Sequence, residues 1–491
     1  MTSGLRSISY QELAQHNTER DCWVSIHGTV WNLTSFLNEH PGGRRIIIKE
    51  AGRDATAAFI PFHPKDIAEK LISGDLKMGV LDTSSTPVAN TDTEEVVAKK
   101  VVTADKPPLA AMFNIFDFEG VARKVLKPEA WAYYSSGADD ELTLRENHAA
   151  FHRIWLKPRV LINVKDVDIS TTMLGTKVKL PIYITATALG KLGHPEGEVV
   201  LTRAAHTRGI VQMMPTLASC SLAEMTEAAQ PGQTQWLQLY VNTDRENTRK
   251  IVEDAEKRGV KGLFITVDAP QLGRREKDMR TKFVDEAPDV QDESTVERNQ
   301  GAARAISKFI DPALCWADIP WFRSITKMPI ALKGIQSGED AVTAAQYGVQ
   351  AIVVSNHGGR QLDTGRSAVE ILPEVVSALK EAGLHGKMEI YVDGGFRRGT
   401  DIFKALALGA TGVGLGRPFL YAMSGYGQAG VERALDLLRD ELEMCMRLMG
   451  TPTIADITSA RVLTKNLESH VGAPPRDVLA DAVYDPLRAM L

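Results

Sequence analysis

Between Leu180 and Phe419, short and almost uninterrupted apolar runs alternate with amphipathic stretches. Eight such runs recur: "LPIYITATA" from Leu180, "GIVQMMPT" from Gly209, "QWLQLYV" from Gln235, "GLFITVDAP" from Gly262, "MPIALKGI" from Met328, "QAIVVSNHGG" from Gln350, "MEIYVDGG" from Met388 and "GVGLGRPF" from Gly412. Runs with so little polar alternation are strands buried on both faces, which implies a parallel sheet covered by helices. The intervening stretches, such as "ENTRKIVEDAEKRG" and "GTDIFKALALG", supply those helices. Eight repeats predict a (β/α)8 barrel, an α/β fold; the alternation alone also admits an open doubly wound sheet. The run ends favour the barrel, because most finish in polar or reactive residues: Thr187, Tyr240, Asp268, Lys333, His357, Asp393 and Arg417. A barrel gathers its active site at the C-terminal ends of many strands. The long connection Asp285–Phe309 starts acidic and lacks apolar periodicity, which predicts a mobile surface excursion near the active-site mouth.

The pattern ahead of the barrel differs. In the first 81 residues, "WVSIHGTVWNLTSFLNEHPGG" reads as a strand, a turn, a short strand and a helix end, which predicts a small α+β unit over residues 1–81. Residues 82–107 are rich in Ser, Thr, Asp, Lys and Pro and have no aromatic residue, so they predict a flexible linker. Residues 108–491 then hold the barrel.

Composition narrows the function. At 44% hydrophobic and 24% charged, the chain has the make-up of an ordinary globular protein. A net charge of -5 over 491 residues gives no electrostatic case for nucleic acid. No apolar run approaches the ~18 residues that span a bilayer. The N-terminus has no apolar core of a secretory signal, and one early base, Arg6, makes a weak mitochondrial presequence. The expected location is the cytoplasm or the mitochondrial intermembrane space. Cys22, Cys220, Cys315 and Cys445 are far apart and form no CxxC, which argues for reduced core thiols over a zinc site or disulfide framework.

Two histidines in the first unit suggest a metal. His40 precedes Pro41-Gly42-Gly43, a sharp reversal, and His63 follows in "AFIPFHPKD". Two neutral imidazoles at helix ends, facing an apolar pocket walled by Phe36, Leu37, Ile46, Phe59, Leu71 and Ile72, can ligate a haem iron from both sides. Such an iron has no open position and carries electrons without binding oxygen. With no CxxCH, the haem b is held non-covalently.

The barrel carries a second constellation. Arg275 and Arg360 can grip a carboxylate with their forked guanidiniums. Tyr133 and Tyr240 can bind that carboxylate or a neighbouring hydroxyl. His357 can take a proton, and Asp268 beside it would raise its basicity. The last two runs look built for a phosphate: "DGGFRRG" from Asp393 and "GRP" from Gly416 bring bare glycine amides with Arg397 and Arg417 to the usual phosphate position of barrels. No GxGxxG with an acidic partner is present, which argues against a dinucleotide. Lys333 can place a positive charge beside a ring that accumulates electrons.

"DCWVSIHGTVWNLTSF", the HPGG at His40, "AGRDATAAF" and His63 together resemble the cytochrome b5 family, in which the HPGG histidine and a later one are the axial ligands. "YYSSGADDE", "KPRVLINV", "QLYV", "TVDAPQLGRREKD", "LKGI", "SNHGGRQLD" and "DGGFRRGTDIFKALALGA" resemble the FMN-dependent 2-hydroxy-acid oxidising family from about Phe113 onwards. The combination resembles its haem-linked, lactate-using members. The resemblance implies that L-lactate is oxidised to pyruvate, with electrons passing from FMN through haem b to cytochrome c or a similar one-electron acceptor. It implies His357 as the base, Asp268 as its partner, Arg275, Arg360 and Tyr133 on the carboxylate, and Tyr240 near the hydroxyl. Ala186, Thr187, Ala188, Gln238, Thr266 and Lys333 would contact the flavin ring. Asp393, Gly394, Gly395, Arg397, Gly416 and Arg417 would hold its ribityl phosphate. Tyr133 would also face a haem propionate, and the assembly would be a homotetramer. An FMN-dependent oxidase that uses oxygen, or an enzyme acting on another hydroxy acid such as glycolate, is the alternative.

One position departs from the resemblance. The family usually has serine where this chain has Pro215, so a hydroxyl near the flavin is missing, and Thr216 stands next to the gap. Ala188 and Leu217 match the lactate-using members, where plant-type glycolate oxidases tend to have Trp at the latter position.

Overall fold

The computed structural model describes residues 6–38, 40, 44–84, 106–281 and 310–470. The predicted loop 285–309 and most of the predicted linker lie outside the described residues.

All eight predicted strands form, and they close into one parallel barrel. They are β1 (Ile182–Ile184), β2 (Val211–Pro215), β3 (Gln235–Leu239), β4 (Leu263–Thr266), β5 (Ile330–Ile335), β6 (Ala351–Val354), β7 (Glu389–Asp393) and β8 (Gly412–Leu415). β8 pairs back onto β1, so the open doubly wound alternative is excluded. The alternation of each strand sorts its residues between two cores. Tyr183, Met213, Trp236, Phe264, Ala331, Val353 and Tyr391 point into the barrel; Ile184, Met214, Leu237, Ile265, Leu332, Ile352 and Val392 join the outer core beneath the helices. Trp236 stacks on Phe264 at 4.7 Å between ring centroids, and Tyr183 meets Tyr391 edge-on at 5.6 Å. Rings this large fit because small residues face them. A Cβ on Gly414 would come within 2.6 Å of the Tyr183 ring. The hairpin Thr171–Val178 supplies Met173 and Val178 to the same inner core, so the barrel interior is solid apart from its C-terminal mouth.

The first unit is a five-stranded sheet ordered Ser7–Ile8, Lys77–Leu81, Thr29–Asn32, Asp21–Ile26, Asn17–Thr18. Val24, Ile26 and Trp31 pack against Leu37, Ile47 and Ile72. The strand, turn and short strand of the sequence reading are Asp21–Ile26 and Thr29–Asn32. At the C-terminal end of the predicted linker, Lys106 donates to the Gly425 carbonyl at 2.7 Å, and the Tyr426 hydroxyl donates to the Pro107 carbonyl at 2.6 Å.

Candidate functional site

The strand ends open into a cavity at the mouth of the barrel. Sixteen of the residues predicted for the barrel site line it: Tyr133, Ala186, Thr187, Ala188, Gln238, Tyr240, Arg275, Lys333, His357, Arg360, Asp393, Gly394, Gly395, Arg397, Gly416 and Arg417. Asp268 and Thr266 stand behind that wall.

His357 lies three residues past β6, at φ +60°, and Gly358 and Gly359 continue at +66° and +72°. Three left-handed residues in a row make one tight turn that lifts the imidazole into the cavity. Its Nδ1 is 2.9 Å from Asp268 Oδ1 and its Nε2 is 3.0 Å from the Tyr240 hydroxyl. The Asp268 side chain is fully buried. It fits there because Gly334, at φ +115°, has no side chain; a Cβ would fall 2.5 Å from the Asp268 Cβ. Burial works against the charge on Asp268, but the His357 imidazole and Lys333 outweigh it and hold the carboxyl below its ordinary range.

The two predicted carboxylate grips flank this pair. Arg360 Nη1 donates to the carbonyls of Tyr133 at 2.8 Å and Ser136 at 3.0 Å, and its guanidinium lies over the Tyr133 ring at 5.0 Å. Arg275 is buried, and its Nε has no hydrogen-bond partner among the described residues. Burial, with Arg360 nearby, pushes Arg275 down to about 10. A buried cation with an unused donor next to a second cation is a place that stabilises an anion.

Lys333 Nζ sits 3.0 Å from Asp393 Oδ2 and donates to Ser355 Oγ at 3.2 Å. Burial opposes its charge, yet Asp393 and Asp268 hold Lys333 above its ordinary range. Lys333 does not end its strand as predicted: β5 runs on to Ile335. Arg417 is likewise not a strand end but the first residue of the helix Arg417–Met449. Its Nε, Nη1 and Nη2 donate to the carbonyls of Tyr134, Gly358 and Ser136 at 2.8, 2.9 and 2.8 Å, so it fastens the surrounding loops as well as facing the cavity. Thr266 does not reach the cavity; its hydroxyl accepts from Gln238 Nε2 at 2.8 Å and so aims that amide. The Thr216 hydroxyl does not replace the one missing at Pro215. It donates to the Gln238 carbonyl at 2.6 Å and accepts from the Tyr240 amide at 3.1 Å. Pro215 and Leu217 line the cavity and have no polar side-chain group to offer it.

The rest of the cavity fits FMN. Gly394 and Gly395 have φ of +98° and +86°, and a Cβ on Gly395 would fall 1.9 Å from the Asn147 carbonyl oxygen, so the loop is bare backbone by necessity. Arg397 and Arg417 add charge for a phosphate, and Lys333 and Gln238 face the space for a polar ring.

Four contributors escaped the sequence reading. Ser355 joins Lys333, Asp393 and the His357 amide, bonding Asp393 Oδ1 at 2.5 Å and His357 N at 3.0 Å. Asn356, its neighbour, pairs with Asn147. Both lie inside "SNHGGRQLD", so adjacency to the histidine was their signal. Glu198 is fully buried and accepts from the amides of Gly190, Ser219 and Cys220, fixing the loop after β1; nothing in its sequence context marks it.

In the first unit, the rings of His40 and His63 come together with centroids 6.0 Å apart and their planes 71° to each other. Two metal–imidazole bonds of about 2 Å each, plus the ring radii, give about this separation. Burial, followed by the proximity of His40, pushes His63 down to about 4, so it is neutral and ligand-competent at pH 7. Leu37 and Ile72 are buried in the core of this unit, and the Phe59 ring lies 4.6 Å from His63, tilted by 38°. Ile46 is 55% exposed, so it forms no packed wall here, and the Leu71 side chain lies outside the described ones. The pair fits a bis-imidazole haem.

Residues 122–464 match the FMN-dependent dehydrogenase family, and residues 9–82 match the cytochrome b5-like haem/steroid binding domain. The chain belongs to the FMN-dependent dehydrogenases, with a cytochrome b5-like domain in front of the barrel; FMN and haem are its cofactors. It is 53% identical over 472 residues to the L-lactate dehydrogenase (cytochrome) of Wickerhamomyces anomalus, covering 96% of this chain and 82% of that one. The Saccharomyces cerevisiae L-lactate dehydrogenase (cytochrome) is 50% identical, covering 98% and 83%. Among solved structures, a mutant flavocytochrome b2 with pyruvate bound is similar with a TM-score of 0.70 and 50% identity, covering 78% of this chain and 95% of that one. Among the described residues, no helix is long and apolar enough to cross a membrane.

Proposed function

We propose that this enzyme oxidises L-lactate to pyruvate and delivers the electrons, one at a time, to cytochrome c or a similar one-electron acceptor. The observation that carries this is the juxtaposition, at one cavity, of the Asp268–His357–Tyr240 chain with the buried guanidinium of Arg275 and the half-buried one of Arg360, in a chain that also brings two imidazoles together in its first domain. Arg275 and Arg360 bind the substrate carboxylate, with Tyr133 beside Arg360. Tyr240 donates toward the substrate hydroxyl. His357 removes a proton from the substrate through Nε2, the nitrogen not occupied by Asp268, and Asp268 stabilises the imidazolium that results.

Ala186, Thr187, Ala188, Gln238 and Lys333 hold the flavin ring, with Thr266 acting through Gln238; Gly394, Gly395, Arg397, Gly416 and Arg417 hold the ribityl phosphate, while Asp393, bound to Lys333 and Ser355, fixes the lysine at the ring. Bound there, FMN supplies a two-electron acceptor that can be emptied in single steps. His40 and His63 hold the haem. The small Ala188 and the apolar Leu217 leave room for the lactate methyl, which favours lactate over glycolate by about 1–3 kcal/mol. We assign residues 1–81 to the haem domain, 82–107 to the linker and 108–491 to the dehydrogenase domain. The working assembly is a homotetramer in the cytoplasm or the mitochondrial intermembrane space.

The test is an anaerobic visible spectrum before and after adding L-lactate. Bleaching of the flavin followed by sharp reduced-haem bands is the expected result. Flavin bleaching with the haem left oxidised and peroxide formed in air would favour an oxidase. No change with lactate but a response to glycolate would overturn the substrate.

A further inference from the structure

We infer that Asn147 and Asn356 form a paired positioning device that holds the His357 turn and the Gly394–Gly395 loop in one fixed mutual geometry. The inference rests on the reading of His357 as the base.

The two carboxamides are 1% and 2% exposed and bond reciprocally: Asn147 Nδ2 donates to Asn356 Oδ1 at 2.8 Å, and Asn356 Nδ2 donates to Asn147 Oδ1 at 2.7 Å. Two parallel bonds between planar amides fix orientation as well as distance, which one bond does not. Each residue also reaches one of the site's loops. Asn356 Oδ1 accepts from the Gly359 amide at 3.0 Å, closing the left-handed turn that begins at His357, and its Nδ2 also donates to the Arg366 carbonyl at 2.9 Å. A histidine in that conformation is strained and persists only where its surroundings enforce it. Asn147 stands under the other loop. Its carbonyl blocks any side chain on Gly395, and its neighbour His148 contacts the Gly395 carbonyl through Nδ1 at 3.0 Å.

The helix Leu142–His152 carries Asn147 and is fastened to the same turn at its start. Asp363 accepts from the amides of Asp140, Leu142 and Thr143, and a Cβ on Gly359 would fall 2.6 Å from the Leu144 backbone. The helix is thus a brace between the loop after β6 and the loop after β7, and the amide pair is its buried contact with the first. A shift of about 1 Å in a reacting group can cost about 10²-fold in rate. Neither asparagine lines the cavity, so both act through what they hold.

The test is Asn147→Leu, Asn356→Leu and the double variant, as full-length holoenzymes. The readouts are anaerobic flavin reduction by L-lactate per bound flavin, its pH profile, and FMN affinity. Each single variant is expected to slow reduction by about 10–100-fold and to weaken FMN binding, and the double should be no worse than the poorer single, as for parts of one device. A changed pH profile, with the optimum displaced or flattened, marks misplacement of the base, which a merely structural loss would not produce. Unchanged rate and profile per bound flavin would overturn the inference. If the leucine variants do not fold, Asn147→Ser, which keeps a small polar group but not the double bond, is measured in the same way; failure of that variant to fold would also overturn it, because the pair would then serve stability alone. His357→Gln run alongside keeps the two readings separate. If it retains normal flavin reduction, the role of His357 falls, whatever the asparagine variants do.

Discussion

Replacing Asp268 by asparagine isolates the electrostatic contribution of the site. The Asp268 carboxylate is fully buried, 2.9 Å from the His357 imidazole, and its Oδ2 has no hydrogen-bond partner among the described residues. Its charge is therefore spent on His357, with Lys333 contributing more weakly. When the imidazole takes a proton, the two charges stand about 4 Å apart, which at an effective dielectric near 20 is worth about 4 kcal/mol. Asparagine keeps a carbonyl toward Nδ1 and so retains part of the hydrogen bond, which leaves about 3–4 kcal/mol to be lost. At 1.36 kcal/mol per decade, flavin reduction should slow by about 10²–10³-fold. The assay is anaerobic stopped-flow at the flavin band, with FMN content measured on the same sample. The pH dependence has a defined sign. Asp268 is held below its ordinary range, so it stays ionised through neutral and mildly acid pH, and the defect should be similar from pH 6 to pH 8. Any stability this carboxylate adds is present above about pH 4 and lost as pH falls through its depressed value. A loss of less than fivefold with flavin fully bound would refute the assignment of Asp268 as the group that stabilises the imidazolium.

Four other outcomes follow from the same geometry. His40→Ala or His63→Ala should abolish the haem Soret band while lactate still bleaches the flavin; loss of both would show that the two domains are not separate modules. In haem-free protein, His63 is pushed down to about 4 from the ordinary 6.5, so the unfolded chain binds the extra proton between these values. Haem-domain stability should then fall with acidification from pH 6.5 to 4 by up to about 3 kcal/mol, at about 1.36 kcal/mol per unit, and denaturant titrations of His63→Phe should show a flatter slope. Gly395→Ala places a methyl 1.9 Å from the Asn147 carbonyl oxygen at φ +86°, so FMN affinity measured by flavin fluorescence should fall at least tenfold. Leu217→Trp fills the wall beside Ala188 and should lower the lactate-to-glycolate ratio of kcat/KM by about 5–150-fold; an unchanged ratio would remove Leu217 from the specificity wall.

The fold was legible because its information is periodic and local. Each strand of a parallel barrel is buried on both faces, so it appears as an apolar run whatever its neighbours are, and all eight runs became strands. Residues at and just past the ends of those runs had one place to go, the mouth, and sixteen of the residues predicted for the site, small and polar alike, line the cavity. What failed was detail decided by pairing between strands. β5 continues beyond Lys333, and its register with β6 shifts between Lys333 and Ile335. Thr266 faces Gln238 on the adjacent strand and not the cavity, a matter of which side chain is longer across a pair.

The contributors that went unread share a different property. Ser355, Asn356, Asn147 and Glu198 are small or buried polar groups whose partners are mostly other protein groups, often far away in sequence: Asn147 and Asn356 are 209 residues apart. Residue type announces a base or a cation, because few other environments tolerate one at a strand end. It does not announce a carboxamide or a hydroxyl, which is common in any loop and acquires a role only from the group folding brings opposite it. Ser355 shows the point most simply. It bonds Lys333, Asp393 and the His357 amide at once, and so ties the lysine facing the flavin ring to the turn carrying the base. The chemistry of this site is therefore written in the sequence, while the mutual placement of its parts is written in contacts between strands β5, β6 and β7, which exist only once the barrel has closed.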